Sequence, residues 1–252
     1  MRIDLESDKG IRKGLPQLLD LFKKREIKGS FYLTMGGESG IFSLLSNSGK
    51  MQNAGERKIK AFSLVEKLRI AFLPKDFVSS NKEILQRIID EGHELGIHGW
   101  KHRTWTRNFE ELDKDKDLNL AINKFEKLFR KKPESFSAPG FMMNGEVTKL
   151  LERKGITHIS DFNQDKKIGK VKNVAINTLG QNRMPFVEYW VGEGKSDKEI
   201  LGLFREEIEK KEFVSFYLHG LYEGIEKISL LESMLKELKK KGFTSKRIID
   251  IK

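Results

Sequence analysis

Cysteine is absent from the 252 residues. That excludes disulfides and thiolate metal sites, so any bound metal must use nitrogen and oxygen ligands. There is no run of ~18 apolar residues, so no membrane-spanning helix is expected. The start, Met1-Arg2-Ile3-Asp4, is charged at once and lacks the apolar stretch of a secretory leader. The expected location is therefore the cytoplasm. No Gly-x-Gly-x-x-Gly follows the first strand-like run and no phosphate-binding Gly-rich loop ending in Lys-Ser/Thr occurs, which argues against a dinucleotide or nucleoside triphosphate site of the usual kinds. A recognisable nucleic-acid module is also missing, and no nucleic-acid partner is expected.

The chain does have basic residues, 48 against 37 acidic, for a net charge of +11. Such an excess invites a polyanion. Part of it is ordinary helix chemistry, as in Glu207-Ile208-Glu209-Lys210-Lys211-Glu212, where opposite charges alternate. Part is concentrated between Ile41 and Val78, which carries Lys50, Arg57, Lys58, Lys60, Lys67, Arg69 and Lys75 beside Phe62, Val65, Leu68 and Phe72 at roughly helical spacing. A basic amphipathic insertion of this length reads as a lid or binding segment, and an anionic membrane surface on the cytoplasmic side is a partner it would suit.

Elsewhere the pattern alternates between strand and helix. Arg2 to Leu5, Gly29 to Met35, Glu94 to His98, Phe136 to Ala138, Thr157 to Ser160, Val174 to Asn177 and Phe213 to His219 read as strands. Lys13 to Arg25, Asn81 to Glu91, Asp117 to Phe129, Gly145 to Lys154, Asp197 to Lys211 and Ile225 to Lys241 read as amphipathic helices. Repeated strand–helix units imply a parallel sheet, and ~250 residues suits one α/β barrel spanning 1–252.

The residues able to do chemistry gather at the ends of those strands. Asp4 and Glu6 share a side of the first strand, because positions i and i+2 face one way. His98 and His102, two of five histidines, stand four apart, and a single helical turn would bring both imidazoles to one ion. Pro139, Asp161 and His219 close other strands. In a barrel those ends converge on one face. One carboxylate of the first strand could join the histidines around a divalent ion and the other could serve as general base. His219 could protonate a leaving amine. The plainer reading of the carboxylates is a solvated N-terminal strand. His93 and His158 read as structural or surface histidines.

Five stretches together resemble the motifs of the polysaccharide deacetylase superfamily, carbohydrate esterase family four. They are Arg2-Ile3-Asp4-Leu5-Glu6, His98-Gly99-Trp100-Lys101-His102, Ser137-Ala138-Pro139-Gly140-Phe141, Ser160-Asp161 and Leu218-His219-Gly220. Within it, the chain most resembles deformylases that act on an undecaprenyl phosphate-linked 4-deoxy-4-formamido-L-arabinose. The resemblance implies a distorted (β/α)7 barrel and one divalent ion, zinc in first place, on Glu6, His98 and His102. It implies Asp4 as base, His219 as acid, and Trp100, Pro139, Gly140 and Asp161 at the substrate. The substrate expected is an N-formyl or N-acetyl amino sugar, lipid-linked or otherwise. Two positions depart from the family pattern. Glu6 stands where the metal carboxylate is usually Asp, with Asp8 as an alternative ligand. Ser137 stands where an arginine commonly orients the base. These departures leave open a silent barrel that binds a lipid-linked sugar without hydrolysing it.

Overall fold

The computed structural model describes residues 1–36 and 76–251. The basic insertion therefore lies outside the described residues except for its last three, of which Asp76 caps a short helix, Phe77–Ser80, by accepting the Ser79 amide.

Among the described residues the sheet has eight strands: β1 (Arg2–Leu5), β2 (Ser30–Leu33), β3 (Glu94–Ile97), β4 (Ser135–Phe136), β5 (His158–Ile159), β6 (Lys166–Ile168), β7 (Val171–Asn173) and β8 (Tyr217–His219). Their spatial order is β6-β7-β5-β4-β3-β2-β1-β8. All pairings are parallel except the hairpin β6–β7. The mixed sheet forms a half-barrel flanked by helices, the distorted barrel expected. The loop after β7 reaches the segment that leads into β8: the amides of Asn177 and Thr178 both donate to the Ser215 carbonyl, at 3.1 and 2.9 Å. The segment 174–177, expected as a strand, leaves the ladder after the Val174 amide bonds the Ile159 carbonyl and joins this contact at Asn177, while the regular strand ends at Asn173.

β1, β2 and β3 are buried at every residue. This is the signature of parallel strands covered on both faces. The helix Leu15–Arg25 buries Leu15, Leu18, Leu19, Leu21 and Phe22 on one stripe, and Pro16 sits in its first turn, where its missing N–H costs nothing. A π-helical turn, Gly10–Gly14, precedes it. A Cβ on Gly14 would lie 1.8 Å from the Gly220 carbonyl oxygen, so only glycine lets this turn press against the residue after His219. Near the N-terminal ends of the strands, His93 packs between Phe22 and Phe31 and accepts the Gly29 amide, and burial lowers its pKa to about 4. It belongs to the core, as expected.

Register decides what the C-terminal strand ends share. Asp4 of β1 lies level with His219 of β8. Leu33 of β2 lies level with Ile97 of β3, which places His98 one step beyond. Ile97 in turn pairs with Phe136, and the Ser137 amide donates to the Ile97 carbonyl.

Candidate metal and acid–base centre

Asp4 is 2% exposed and is held on both oxygens by a single arginine from its own strand. Arg2 Nε reaches Oδ1 at 2.9 Å and Nη2 reaches Oδ2 at 2.8 Å. The two side chains share a face because they are two residues apart. Arg2 Nη1 donates to the Ser160 carbonyl at 2.8 Å and lies 3.3 Å from Asp161 Oδ1. Burial alone would raise the Asp4 pKa. The Arg2 charge, helped by His98 and His219, outweighs it and holds the carboxyl below the ordinary range. The arginine contact to Asp4 that the resemblance led one to expect from the third motif is made here by Arg2 of the first strand.

Asp161 sits behind this pair. Its Oδ1 accepts the Ala138 amide at 2.8 Å as well as facing Arg2, and burial lifts its pKa to about 6 against the pull of Arg2. Asp161 thereby ties β5 to the loop after β4. Pro139 is buried in the turn Pro139–Phe141, which passes through a left-handed Gly140 (φ 61°) and brings the Phe141 ring centroid to 4.6 Å from the Arg2 guanidinium.

Glu6, just past β1, is the hub. Its Oε1 lies 3.1 Å from His102 Nε2, 3.5 Å from His98 Nε2 and 3.7 Å from His219 Nε2. The Asp4 Oδ2 atom is 3.9 Å from His98 Nε2. The two histidines of the pair do not lie on one helical turn. His98 follows the strand, Gly99 turns the backbone at φ +68°, and His102 opens a new helix, His102–Arg107. That path is fixed from behind: Asp117 accepts the Trp100 amide and the Trp105 indole N–H, at 2.9 and 2.8 Å. A Cβ on Gly99 would come within 2.7 Å of that same indole nitrogen. Trp100 is half-buried, with Lys124 Nζ 5.3 Å from its ring.

The donor set passes a physical test for a metal. His98 Nδ1 is 2.7 Å from the Ser137 carbonyl oxygen, which can only accept, so Nδ1 carries the proton. In the neutral ring Nε2 is then a bare lone pair. It is buried, finds no hydrogen-bond partner, and faces the Glu6 carboxylate. Two electron-rich groups at that separation repel unless a cation lies between them. Ligands ~2.1 Å from a common tetrahedral centre are about 3.4 Å apart, and the Glu6 contacts to His98 and His102 bracket that spacing. Glu6, His98 and His102 form one cluster of the right span; Asp4, Glu6 and His219 form a second. The first is the better ligand set, because the Arg2 fork already occupies both Asp4 oxygens. Asp8 lies in neither cluster, and its Oδ1 accepts from Asn81 Nδ2 at 2.7 Å.

His219 is backed differently. Its Nδ1 contacts the carboxylate of Glu188, in the helix Phe186–Gly192, and its amide donates to Glu223 Oε2 at 2.8 Å. Burial and the nearby charge of Glu188 raise Glu223 to about 8. No pattern in the chain marks Glu188, 31 residues from its partner. Arg2 could have been found, since Arg2-x-Asp4 places both on one face.

Comparison with known proteins agrees with this geometry. The family described as polysaccharide deacetylase matches residues 3–159. The chain belongs to that family, whose members are hydrolases of carbon–nitrogen bonds that generally depend on a metal. It is 22% identical over 266 residues to the "Probable 4-deoxy-4-formamido-L-arabinose-phosphoundecaprenol deformylase ArnD" of Shewanella sediminis, covering 100% of this chain and 84% of that protein. The protein of the same name from Wigglesworthia glossinidia brevipalpis is 25% identical over 160 residues, 57% of this chain and 52% of its own length. Among solved structures, the peptidoglycan deacetylase PdaC of Bacillus subtilis superposes with a TM-score of 0.57 at 15% identity, over 99% of this chain and 86% of that one, and shares the fold.

Proposed function

We propose that this chain removes an N-formyl or N-acetyl group from an amino sugar, in first place one carried on a polyprenyl phosphate. The observation that carries the reading is the Glu6 carboxylate oxygen within 3.1 to 3.7 Å of three imidazole nitrogens, beside an arginine-held aspartate. Glu6, His98 and His102 would hold one divalent ion, zinc in first place. When bound, it would polarise the amide carbonyl and lower the pKa of an attacking water.

The chain's own groups do the rest. Asp4, kept ionised by Arg2, accepts the proton of the attacking water. A carbon–oxygen bond forms and the carbon–nitrogen bond breaks. With the Nδ1 proton directed at Glu188, His219 delivers a proton from Nε2 to the departing sugar nitrogen. Formate or acetate and a free amine result. Trp100, Pro139, Gly140 and Asp161 line or brace the sugar side. The match to the deformylases, one of them over the whole length of this chain, supports the 4-formamido sugar and the lipid link. Among the described residues no helix is long and apolar enough to cross a membrane. The basic segment 41–78 is proposed to meet the anionic surface that carries such a lipid.

The test is metal content together with release of formate or acetate from a 4-formamido sugar and its 4-acetamido analogue. About one ion per chain and turnover of at least one amide are expected, with turnover lost in Asp4→Asn. Full activity in Asp4→Asn, or no amine from either substrate by the zinc-loaded protein, overturns the reading.

A further inference from the structure

Arg2 and Arg183 share the Phe141 ring, with guanidinium carbons 4.6 and 3.8 Å from its centroid. They differ in every other respect. Each guanidinium nitrogen of Arg2 is hydrogen-bonded to an acceptor of the chain. Arg183 Nε and Nη2 are both buried and have no acceptor among the described residues. Asp161, the first carboxylate whose charge Arg183 feels, is paired with Arg2 instead. A guanidinium cannot shed its proton to escape this situation. Its planar fork matches the oxygens of a phosphoryl or carboxylate group.

The backbone around Arg183 is built to hold it there. Asn182 and Arg183 are consecutive non-glycine residues with φ of 53° and 61°. Such conformations persist where surrounding structure over-determines them, and they cluster at ligand sites. The loop is pinned by the Leu179–Pro185 bridge, by the Gly180 amide to the Met184 carbonyl at 3.0 Å, and by Tyr217 Oη donating to the Arg183 carbonyl at 2.7 Å. The Tyr217 ring is also 5.6 Å from that of His219. One aromatic side chain therefore connects Arg183 with the proposed proton donor.

We infer that Arg183 is an oxyanion anchor for the substrate, receiving the phosphoryl group of a sugar phosphate while the amide is presented to Glu6, His98 and His219. This deepens the proposed function and rests on it for the identity of the amide.

The experiment compares zinc-loaded wild type, Arg183→Gln and Arg183→Lys on two 4-formamido sugars, a short-chain prenyl phosphodiester and the neutral methyl glycoside. The kcat/KM ratio of phosphodiester to methyl glycoside is expected to fall about 10–100-fold in Arg183→Gln, mainly through KM, with Arg183→Lys intermediate because it keeps the charge and loses the fork. An unchanged ratio in both variants overturns the anchor. Titration with phenyl phosphate and inorganic phosphate supplies a readout without turnover. Weaker binding by the Gln and Lys variants supports the anchor, and tighter binding of phenyl phosphate than of inorganic phosphate assigns it to a phosphate ester. Equal binding by all three proteins overturns it. If wild type hydrolyses neither sugar but binds phosphate through Arg183, the amide assignment fails and the anchor stands.

Discussion

His98 and His219 occupy matching places, at the C-terminal ends of parallel strands, yet the protein backs them with opposite chemistry. Behind His98 is a neutral acceptor, the Ser137 carbonyl, at 2.7 Å. Behind His219 is a carboxylate, Glu188. A carbonyl fixes the tautomer and leaves Nε2 as a lone pair for an ion. A carboxylate does the same and also stabilises the imidazolium, which suits a group that holds and gives a proton. In the proposed function the same side chain on the same sheet would acquire two roles from what stands one layer behind it.

Alanine at each histidine breaks this comparison most severely. His98→Ala is expected to lose the divalent ion and turnover together. His219→Ala should keep the ion while kcat falls ~10²–10⁴-fold, the usual worth of a positioned acid. Metal analysis beside amine-release kinetics distinguishes them, and loss of the ion in His219→Ala would make His219 a ligand.

Glu188→Gln is next. Its amide preserves size and removes the charge behind His219, so kcat should drop roughly 10–100-fold, the scale seen for partners behind functional histidines, with metal content unchanged. Equal kcat in the variant would reduce Glu188 to packing.

Glu223→Gln tests the same corner through stability. A carboxyl raised to about 8 by burial and by Glu188 stays protonated in the folded chain after its unfolded counterpart has ionised. Its stabilisation is complete below the ordinary carboxylate pKa of ~4.3 and is lost as pH rises through about 8. Asp161, raised to about 6, slopes the same way but finishes earlier. Asp4, held low, acts only at acid pH and in the opposite sense. Between pH 6 and 8 the melting temperature of the wild type should therefore fall relative to that of Glu223→Gln. Parallel melting curves would refute the assignment.

Ser137→Ala should do least. It removes the hydroxyl 3.0 Å from His98 Nδ1 and leaves the carbonyl that sets the tautomer. Activity within about threefold is expected, since a redundant neutral hydrogen bond contributes ~1 kcal/mol or less. A loss as large as that of Glu188→Gln would erase the distinction between the two sides.

The sites that could be read along the chain are those whose partners are near in sequence or mark strand ends. Asp4 with Glu6 and His98 with His102 were visible from spacing, and His219 from its place at the close of an apolar run. Their company in the motif pattern was also visible. The spacing argument for the histidine pair picked two side chains that the fold brings together, but by another local path, because Gly99 turns the chain left-handed where a helical turn was expected. Boundaries blurred where tertiary bonds replace a ladder. Residues 174–177 look like strand, but only the Val174 amide continues the ladder, to Ile159, while Ala175 donates to Asp165 and Asn177 to Ser215; the segment expected as strand from Phe213 pairs regularly only from Tyr217.

The amino-acid sequence by itself determined the α/β class, the metal and acid–base candidates, and the exclusion of thiolate chemistry, because periodicity and residue type are local properties. Only the tertiary structure decided how they are wired. Parallel pairing set Asp4 level with His219 and brought Arg2 to Asp161 across 159 positions. The same packing brought Glu188 behind His219 and left Arg183 Nε and Nη2 without an acceptor among the described residues. Hydrogen bonds and charge act over a few ångströms in space, whatever the separation along the chain.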